Sequence, residues 1–288
     1  MKIIFFGSSS YVIPILEVLR KNFDLALVIT TERLAFRGEA LEAPVINYCI
    51  KNKISYISVS NLSDPKVNRQ LSNVNCQLAV LADFGLIIPE KILNAFPKGI
   101  MNVHPSLLPK FRGPSPVQTA ILNSIKTTGV SIMKIDKEID HGPILGQEKA
   151  EILTTDTAES LSKRLFAKGA NLLPKTLDKY LKDNLMLQAQ DHAKATFTKP
   201  LNRQDGYVDI AKIKDQKSKI ELNREIRAYF PWPGVWFKTK LNGVEKIIKL
   251  LPEDKLQVEG KKPIPYKDFL NGYPQIKQQL KRLLEQLA

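Results

Sequence analysis

Three polar side chains near the middle of the chain, Asn102, His104 and Asp140, have the types and spacing that acyl transfer needs. Asn102 and His104 are two residues apart, so in an extended strand their side chains point to the same face. Pro105 ends that strand because proline has no N–H to offer the sheet. Asp140 follows on a polar loop that can return to the same place. The three provide an amide donor, a proton-transferring imidazole and a carboxylate.

Acyl transfer turns a carbonyl oxygen into an oxyanion, which donors already in position stabilise. Asn102 can donate an amide N–H to that oxygen, and a cationic His104 can donate to it or to the leaving nitrogen. A carboxylate at Asp140 favours the cationic imidazole and can relay protons. We therefore interpret these three residues as catalytic. The competing interpretation is structural, with the histidine satisfied in a turn and the asparagine capping a loop.

Motifs for several other reactions are missing from the sequence. It contains no G-x-G-x-x-G, no P-loop and no nucleophile elbow, so nicotinamide or ATP chemistry has little support. No group of Cys, His and Asp has the spacing of metal ligands, and no metal is expected. His141 is interpreted as a loop residue, and His192 is assigned no role.

The first half of the chain alternates between strand and helix patterns, which predicts a parallel sheet covered by helices on both faces. Asp64 is the expected N-cap of one helix, with Pro65 at its first position. In such sheets ligands bind beyond the carboxyl ends of the strands, where Asn102 and His104 lie. Strands are predicted at 2–6, 25–30, 54–59, 78–82 and 99–103, and helices at 12–21, 43–51, 64–71 and 89–94.

The second half predicts a hairpin, a helical stretch and a small β-rich domain. The hairpin strands are 129–135 and 144–152, and one or two helices follow at 158–183. Short strands are predicted at 207–210, 234–240, 247–251 and 256–258, with a last helix at 275–287. We divide the chain into a Rossmann-like α/β domain at 1–185, a linker at 186–203 and a domain at 204–288 that forms a reduced, OB-like barrel.

Composition limits the cellular compartment and the kinds of binding partner expected for this protein. The net charge is +14, and more than half of the excess lies in 197–288, which favours a polyanionic partner such as RNA. No apolar run is long enough to predict a membrane-spanning helix. The two cysteines, Cys49 and Cys76, lie in apolar surroundings. They fit a reducing cytoplasm better than a disulfide framework.

Three segments around the catalytic candidates together resemble the folate-dependent formyltransferases. Residues 102–116 read NVHPSLLPKFRGPSP, residues 128–133 read TGVSIM, and residues 140–144 read DHGPI. The resemblance implies that Asn102, His104 and Asp140 transfer a formyl group from 10-formyltetrahydrofolate, a co-substrate, to an amine. It also implies a folate pocket built from two segments: Leu81, Ala82, Asp83, Phe84, Gly85 and Leu86, then Ser106, Leu107, Leu108 and Pro109.

Within that family the resemblance over most of the chain is to the methionyl-tRNA formyltransferases. It implies initiator methionyl-tRNA as acceptor, with Arg33 and Arg37 on a loop and Lys199 at the entry to the second domain as tRNA contacts. The loop departs from the family pattern at Leu34 and Glu39, which weakens its basic character. The stretch from 236 to 260 is short for the family, so the second domain is expected to be reduced. A monomer is expected.

Two other functions remain open on the sequence alone. A formyltransferase acting on a nucleotide-linked amino sugar would use the same three residues, although the +14 charge favours RNA. An RNA-binding protein without catalysis is the alternative from another class, and the intact triad argues against it. Glycinamide ribonucleotide formyltransferases normally end after the first domain, and formyltetrahydrofolate hydrolases usually carry a regulatory domain ahead of it.

Overall fold

The computed structural model describes residues 1–31, 44–213 and 215–276, which fall into two compact units. The first unit comprises Met1–Pro116, Thr127–Glu151 and Ser162–Thr198. The second comprises Val117–Lys126, Ile152–Leu161 and the chain from Lys199 onward. The helices of the described chain are α1 (Ile13–Asn22), α2 (Pro44–Asn52), α3 (Pro65–Val74), α4 (Glu90–Leu93), α5 (Pro116–Leu122), α6 (Ala158–Leu181), α7 (Gln216–Tyr229) and α8 (Tyr266–Gly272).

The described residues of the first unit form a seven-stranded sheet in the order β3-β2-β1-β4-β5-β6-β7. Its strands are β1 (Lys2–Phe6), β2 (Asp24–Thr31), β3 (Tyr56–Val59), β4 (Leu78–Leu81), β5 (Gly99–His104), β6 (Thr127–Lys134) and β7 (Ile144–Glu151). Strands β1 to β5 are mutually parallel, as predicted. Strands β6 and β7 are antiparallel to their neighbours, so the sheet is mixed. A short loop joins β6 to β7, and such a connection permits only antiparallel pairing.

Apolar side chains cover both faces of this sheet, which explains why its inner strands are continuous apolar runs. Along β5, Met101 and Val103 belong to the core cluster that includes Phe166 and Leu173 of α6. Ile100 belongs to the cluster on the other face. Asn102 and His104 alternate with the α6-facing residues, so they share the face of Ile100. Alternate residues of β5 point to opposite faces of the sheet. The same alternation therefore places Asn102 and His104 side by side at the end of the strand.

Several predicted helices are confirmed with their end signals. The Asp64 side chain caps α3 by accepting a hydrogen bond from the Lys66 N–H at 2.8 Å, and Pro65 is its first residue. The stretch predicted as one or two helices is the single helix α6, which contains Pro174. Among the described helices, none combines the length and apolar character required to cross a membrane.

The described part of the second unit contains an antiparallel four-stranded sheet in the order β11-β10-β9-β8. These strands are β8 (Val235–Leu241), β9 (Val244–Leu251), β10 (Lys255–Val258) and β11 (Ile264–Pro265). The sheet packs its apolar face on residues of α7 and α8, including Leu222, Ile226 and Phe269. The sequence prediction missed α7, although Asp215 and Ser218 form a capping box at its start.

The strand predicted at 207–210 is wrong. Tyr207 makes one parallel bridge to Trp236, and the chain then turns into a 3-10 helix at Ile210–Lys212. The turn forms because the Asp209 side chain accepts a hydrogen bond from the Ala211 N–H at 3.1 Å. The helix predicted at 275–287 lies almost entirely outside the described residues.

Gly169 of α6 lies against β5 and β6, and we expect its replacement by alanine to destabilise the first unit. An added Cβ would lie 2.5 Å from Val103 Cγ1 and 3.2 Å from Val130 Cγ2. Overpacking of this kind costs about 1–3 kcal/mol, which exceeds the roughly 1 kcal/mol that alanine contributes to a helix interior over glycine. Urea denaturation followed by circular dichroism measures the loss.

Gly272→Ala is the matched control, because an added Cβ there meets no atom within 4 Å. Its free energy of unfolding should stay within about 0.5 kcal/mol of the parent protein. If Gly169→Ala and Gly272→Ala had the same free energy of unfolding, α6 would not pack against β5 as closely as described.

Candidate active site

The carboxyl end of β5 carries Asn102 and His104, which are 8% and 4% exposed. Their side chains point to the same face, as the spacing predicts, and both reach Asp140. In the register of the sheet, Asn102 lies beside Leu81, the last residue of β4. The end of β5 and the loop after β4 therefore adjoin at the edge of the sheet where open α/β folds bind ligands.

Asp140 connects the two residues of β5 through both oxygens of its carboxylate. Asn102 Nδ2 donates to Oδ1 at 3.1 Å, and the Gly113 N–H donates to Oδ2 at 2.8 Å. His104 Nδ1 lies 3.6 Å from Oδ2. Because an ionised carboxylate only accepts hydrogen bonds, it suits a position that faces an amide N–H, a main-chain N–H and an imidazole.

The second ring nitrogen of His104 is also occupied. Nε2 lies 3.0 Å from the Phe111 carbonyl oxygen, and a carbonyl can only accept, so Nε2 carries a proton in this arrangement. Nδ1 is left facing the carboxylate, 3.6 Å from Asp140 Oδ2. The main chain at Phe111 thus determines which nitrogen of the imidazole is directed at the carboxylate.

A segment far along the chain holds the loop that carries Phe111 and Gly113. The Phe111 N–H donates to Thr196 Oγ1 at 2.8 Å, and the Arg112 N–H donates to the Thr196 carbonyl at 2.8 Å. The Ser115 N–H donates to Thr198 Oγ1 at 3.1 Å. Thr196 and Thr198 belong to the stretch predicted as a linker, yet up to Thr198 this stretch is part of the first unit. No sequence signal pointed to these threonines.

Arg112 is a buried side chain, only 3% exposed. Its Nη2 lies 2.8 Å from His192 Nδ1 and also bonds the Gln190 side chain at 2.8 Å. The His192 ring in turn stacks on His141 with ring centroids 4.0 Å apart. His192, which had no assigned role, therefore belongs to the surroundings of the Asp140 loop, as does Gln190.

The segment Ser106 to Pro109, predicted to line the folate pocket, is held by one hydroxyl of β6. Ser131 Oγ donates to the Ser106 carbonyl at 2.6 Å and accepts from the Leu108 N–H at 3.1 Å. Gln147 Nε2 donates to the same hydroxyl and to the Leu108 carbonyl. Ser106 and Leu108 are buried, while Leu107 and Pro109 are partly exposed.

The other predicted pocket segment, Leu81 to Leu86, presents mainly its backbone. Ala82 is buried, and Phe84 packs edge-on against Phe6 with ring centroids 5.4 Å apart. Asp83 and Gly85 have left-handed φ angles of 45° and 81°, and the space a Gly85 Cβ would enter is open. The buried side chains of Ala82 and Phe84 anchor the loop, and the Asp83 carbonyl accepts from the Ser8 N–H at 3.2 Å.

Of the three predicted tRNA contacts, Lys199 is within the described residues. Arg33 and Arg37 fall outside the described residues. Lys199, in the second unit, has a side chain 72% exposed and bonds the Asp205 carboxylate at 2.6 Å. That hydrogen bond lowers the pKa of Asp205 below its ordinary value.

Both cysteines of the chain are buried. Cys49 and Cys76 are buried free thiols, and burial raises the pKa of Cys49 to about 11 and that of Cys76 above its ordinary value. A buried thiol in apolar surroundings is a poor nucleophile because the thiolate is the reactive form. Across 1–31, 44–213 and 215–276, no group of three or more His, Cys, Asp or Glu side chains could hold a metal ion.

The chain is similar in sequence to a known family. Residues 1–177 match the formyl transferase family. A methionyl-tRNA formyltransferase from Roseiflexus sp. (strain RS-1) is 38% identical over 238 residues, covering 81% of this chain and 72% of the relative. The chain therefore belongs to the formyl transferase family and, within it, to the methionyl-tRNA formyltransferases.

Solved structures agree at the level of the fold. A methionyl-tRNA formyltransferase from Clostridium thermocellum aligns with a TM-score of 0.58 and 18% identity, over 92% of this chain and 96% of that chain. An N-formyltransferase from Helicobacter canadensis, in complex with folinic acid and dTDP-3-aminofucose, aligns with a TM-score of 0.59 and 21% identity. That alignment covers 90% of this chain and 95% of the other.

Ser131→Ala should loosen the Ser106 to Pro109 segment. The Leu108 N–H loses its acceptor and the Ser106 carbonyl loses a donor, both buried. A buried polar group left without a partner costs about 1–3 kcal/mol, and we expect the free energy of unfolding to fall by that amount. Ser63→Ala, at an exposed loop position, is the control and should change it by less than about 0.5 kcal/mol. Equal stability of the two variants would show that this hydroxyl does not hold the segment.

Proposed function

We propose that this protein transfers a formyl group from 10-formyltetrahydrofolate to the amino group of initiator methionyl-tRNA. The observation that carries the proposal is the meeting of Asn102, His104 and Asp140 at the carboxyl end of β5. Membership of the methionyl-tRNA formyltransferases supplies the acceptor, because the relatives are named for it.

Asn102 is proposed to stabilise the oxyanion. One hydrogen of its Nδ2 is used by Asp140 Oδ1, which fixes the amide, and the second can donate to the formyl oxygen as negative charge develops there. Because the amide is held by a charged partner before the substrate arrives, little reorganisation is needed during the reaction. A bound carbonyl oxygen within hydrogen-bond reach of Nδ2 would be in place for attack.

His104 and Asp140 are proposed to handle the proton. In the overall exchange a bond forms between the methionyl nitrogen and the formyl carbon, and the bond from that carbon to the folate nitrogen breaks. The attacking amine loses one proton and the leaving nitrogen gains one. Asp140 is proposed to accept the proton from the amine and to return it to the leaving nitrogen, while the imidazole of His104, 3.6 Å away at Nδ1, stabilises the charge on the carboxylate.

The two loops beside β5 fit a folate co-substrate. Leu81 lies next to Asn102 in the sheet, and the following loop is open at Gly85. Main-chain groups of Asp83 to Leu86 are proposed to bind the edge of the pterin ring, with Ser106 to Pro109 on the other side. The solved N-formyltransferase with folinic acid is a relative of the same fold and supports a folate-derived donor.

The net charge of +14 supports a tRNA acceptor through contacts with phosphates, which are independent of base sequence. We propose Arg33, Arg37 and Lys199 as such contacts. We also propose that the part of the second unit from 204 onward is a reduced, OB-like barrel. The bridge from Tyr207 to Trp236 supports this, because it extends the sheet beyond β8. The protein is proposed to act as a monomer in the cytoplasm.

The acceptor is tested by supplying 10-formyltetrahydrofolate with charged initiator methionyl-tRNA, or with a nucleotide-linked amino sugar. Formyl-methionyl-tRNA should form, and the rate should fall steeply as salt rises from 50 to 200 mM, because each phosphate contact adds to the salt dependence. Formylation of the sugar but not of the tRNA would assign the protein to the other acceptor class. Binding of tRNA with no formylation of either acceptor would support the non-catalytic alternative.

Asp140→Asn should lower kcat by about 100- to 1,000-fold, the range seen when a group that stabilises transition-state charge is removed. Both oxygens of Asp140 face donors, so the new amide must direct its NH2 at one of them. His104→Ala should have an effect of similar size. Asp183→Asn, whose side chain is 87% exposed, is the matched control and should retain full activity. Unchanged turnover in Asp140→Asn or His104→Ala would remove these residues from the mechanism.

A further inference from the structure

The side chain of Gln190 is 5% exposed and uses all of its amide for hydrogen bonds. Its Oε1 accepts from Arg112 Nε at 3.1 Å and from Arg112 Nη2 at 2.8 Å. Its Nε2 donates to the Asp140 carbonyl at 2.9 Å and to the Gly142 carbonyl at 2.7 Å. One buried amide therefore links the guanidinium of Arg112 to the backbone of the loop that carries Asp140.

The chemistry of the neighbours allows only one orientation of this amide. A guanidinium has donors and no acceptor, and a main-chain carbonyl has acceptors and no donor. A flipped amide would direct its NH2 at the Arg112 donors and its oxygen at the two carbonyls. Arg112, itself buried, thus orients Gln190, and Gln190 in turn presents two N–H groups to the Asp140 loop.

Asp136 braces the first half of this loop, bonding the Glu138 N–H at 3.0 Å and His141 Nδ1 at 2.6 Å, and Gln190 supplies the bonds at Asp140 and Gly142. Asp140 has a left-handed φ of 49°, a region that costs energy for residues other than glycine. The preceding Ile139 has 60% of its surface exposed. At Gly142 an added Cβ would lie 2.0 Å from the Lys134 carbonyl, so the backbone passes very close to β6. The two bonds from Gln190 fall on either side of His141 and fix this turn.

We propose that Gln190 is a positioning residue that holds the Asp140 backbone, so that the carboxylate faces Asn102 and His104, and that Arg112 acts through it. The inference rests on the proposed function and adds two residues to it. The Gln190 side chain touches neither Asn102 nor His104 in a described contact, so it acts on the reaction through the Asp140 loop.

Gln190→Glu is the sharpest test because it keeps the shape and the bonds from Arg112 but replaces the two donors with an oxygen. That oxygen would face the carbonyls of Asp140 and Gly142. We expect kcat for methionyl-tRNA formylation to fall about 10- to 100-fold, since a misplacement of about 1 Å at a reacting group can cost 100-fold. KM for either substrate should change less than about twofold.

Gln188→Glu is the matched control, with the same chemical change two residues earlier on an exposed side chain. It should leave kcat and KM unchanged. If Gln190→Glu behaved like Gln188→Glu, the positioning role would be wrong. Gln190→Met removes the donors to the loop together with the acceptor for Arg112. It gives the same comparison with Gln188→Glu if Gln190→Glu fails to fold.

A double variant separates positioning from general damage to the fold. If Gln190 acts through Asp140, adding Gln190→Glu to Asp140→Asn should lower kcat no further than Asp140→Asn alone, because residues that act as a unit are not additive. Multiplication of the two losses would overturn the proposal.

The proposed function and this inference can fail separately. If the unsubstituted protein formylates no methionyl-tRNA, the proposed function is wrong. The positioning role of Gln190 is then tested by NMR, which needs no enzymatic activity. The chain has only three histidines, so a spectrum of ¹³C-labelled histidine resolves His104. Its signal should move in Gln190→Glu in the same sense as in Asp140→Asn, and stay in place in Gln188→Glu. An unmoved signal in Gln190→Glu would again contradict the inference.

Discussion

The carboxylate of Asp140 accepts hydrogen bonds from the Asn102 side chain and the Gly113 main chain and faces His104. A carboxylate this close to the sheet, with only 14% of its side chain exposed, must find donors, because an unpaired buried charge is strongly unfavourable. Most of the other residues of the site provide or position those hydrogen-bond donors. Strand β5 provides the amide and the imidazole, and the loop after it returns a main-chain N–H.

That arrangement requires two loops to meet over the end of one strand, and neither loop is held by the sheet alone. Thr196 and Thr198 hold the loop at 111–115 through side-chain and main-chain hydrogen bonds. Gln190 holds the Asp140 turn. The stretch that looks most like a polar linker in the sequence thus stabilises both sides of the candidate active site. Three of its polar side chains, those of Gln190, Thr196 and Thr198, bond main-chain groups of these two loops.

The local signals of the sequence were sufficient for most of the first unit. Apolar runs predicted β1, β4 and β5, and Asp64 with Pro65 predicted the start of α3. These signals were insufficient in two places of the second unit. A strand was predicted where the Asp209 side chain instead stabilises a turn, and helix α7 was missed because its sequence is mostly polar. The sequence predicted β6 and β7 as a hairpin but did not place them in the same sheet as β1 to β5. Which strands pair depends on neighbours that are distant in sequence.

The sequence by itself determined the chemistry of the site: the residue types, the spacing of two that places Asn102 and His104 on one face, and the family segments around them. Only the tertiary structure decided how Asp140 is held and that Arg112, Gln190 and Thr196 belong to the same arrangement. The physical reason is that periodicity reports which face a side chain takes within one element. Hydrogen bonds between loops about 50 or more residues apart, such as that of Gln190 with Asp140, leave no periodic trace.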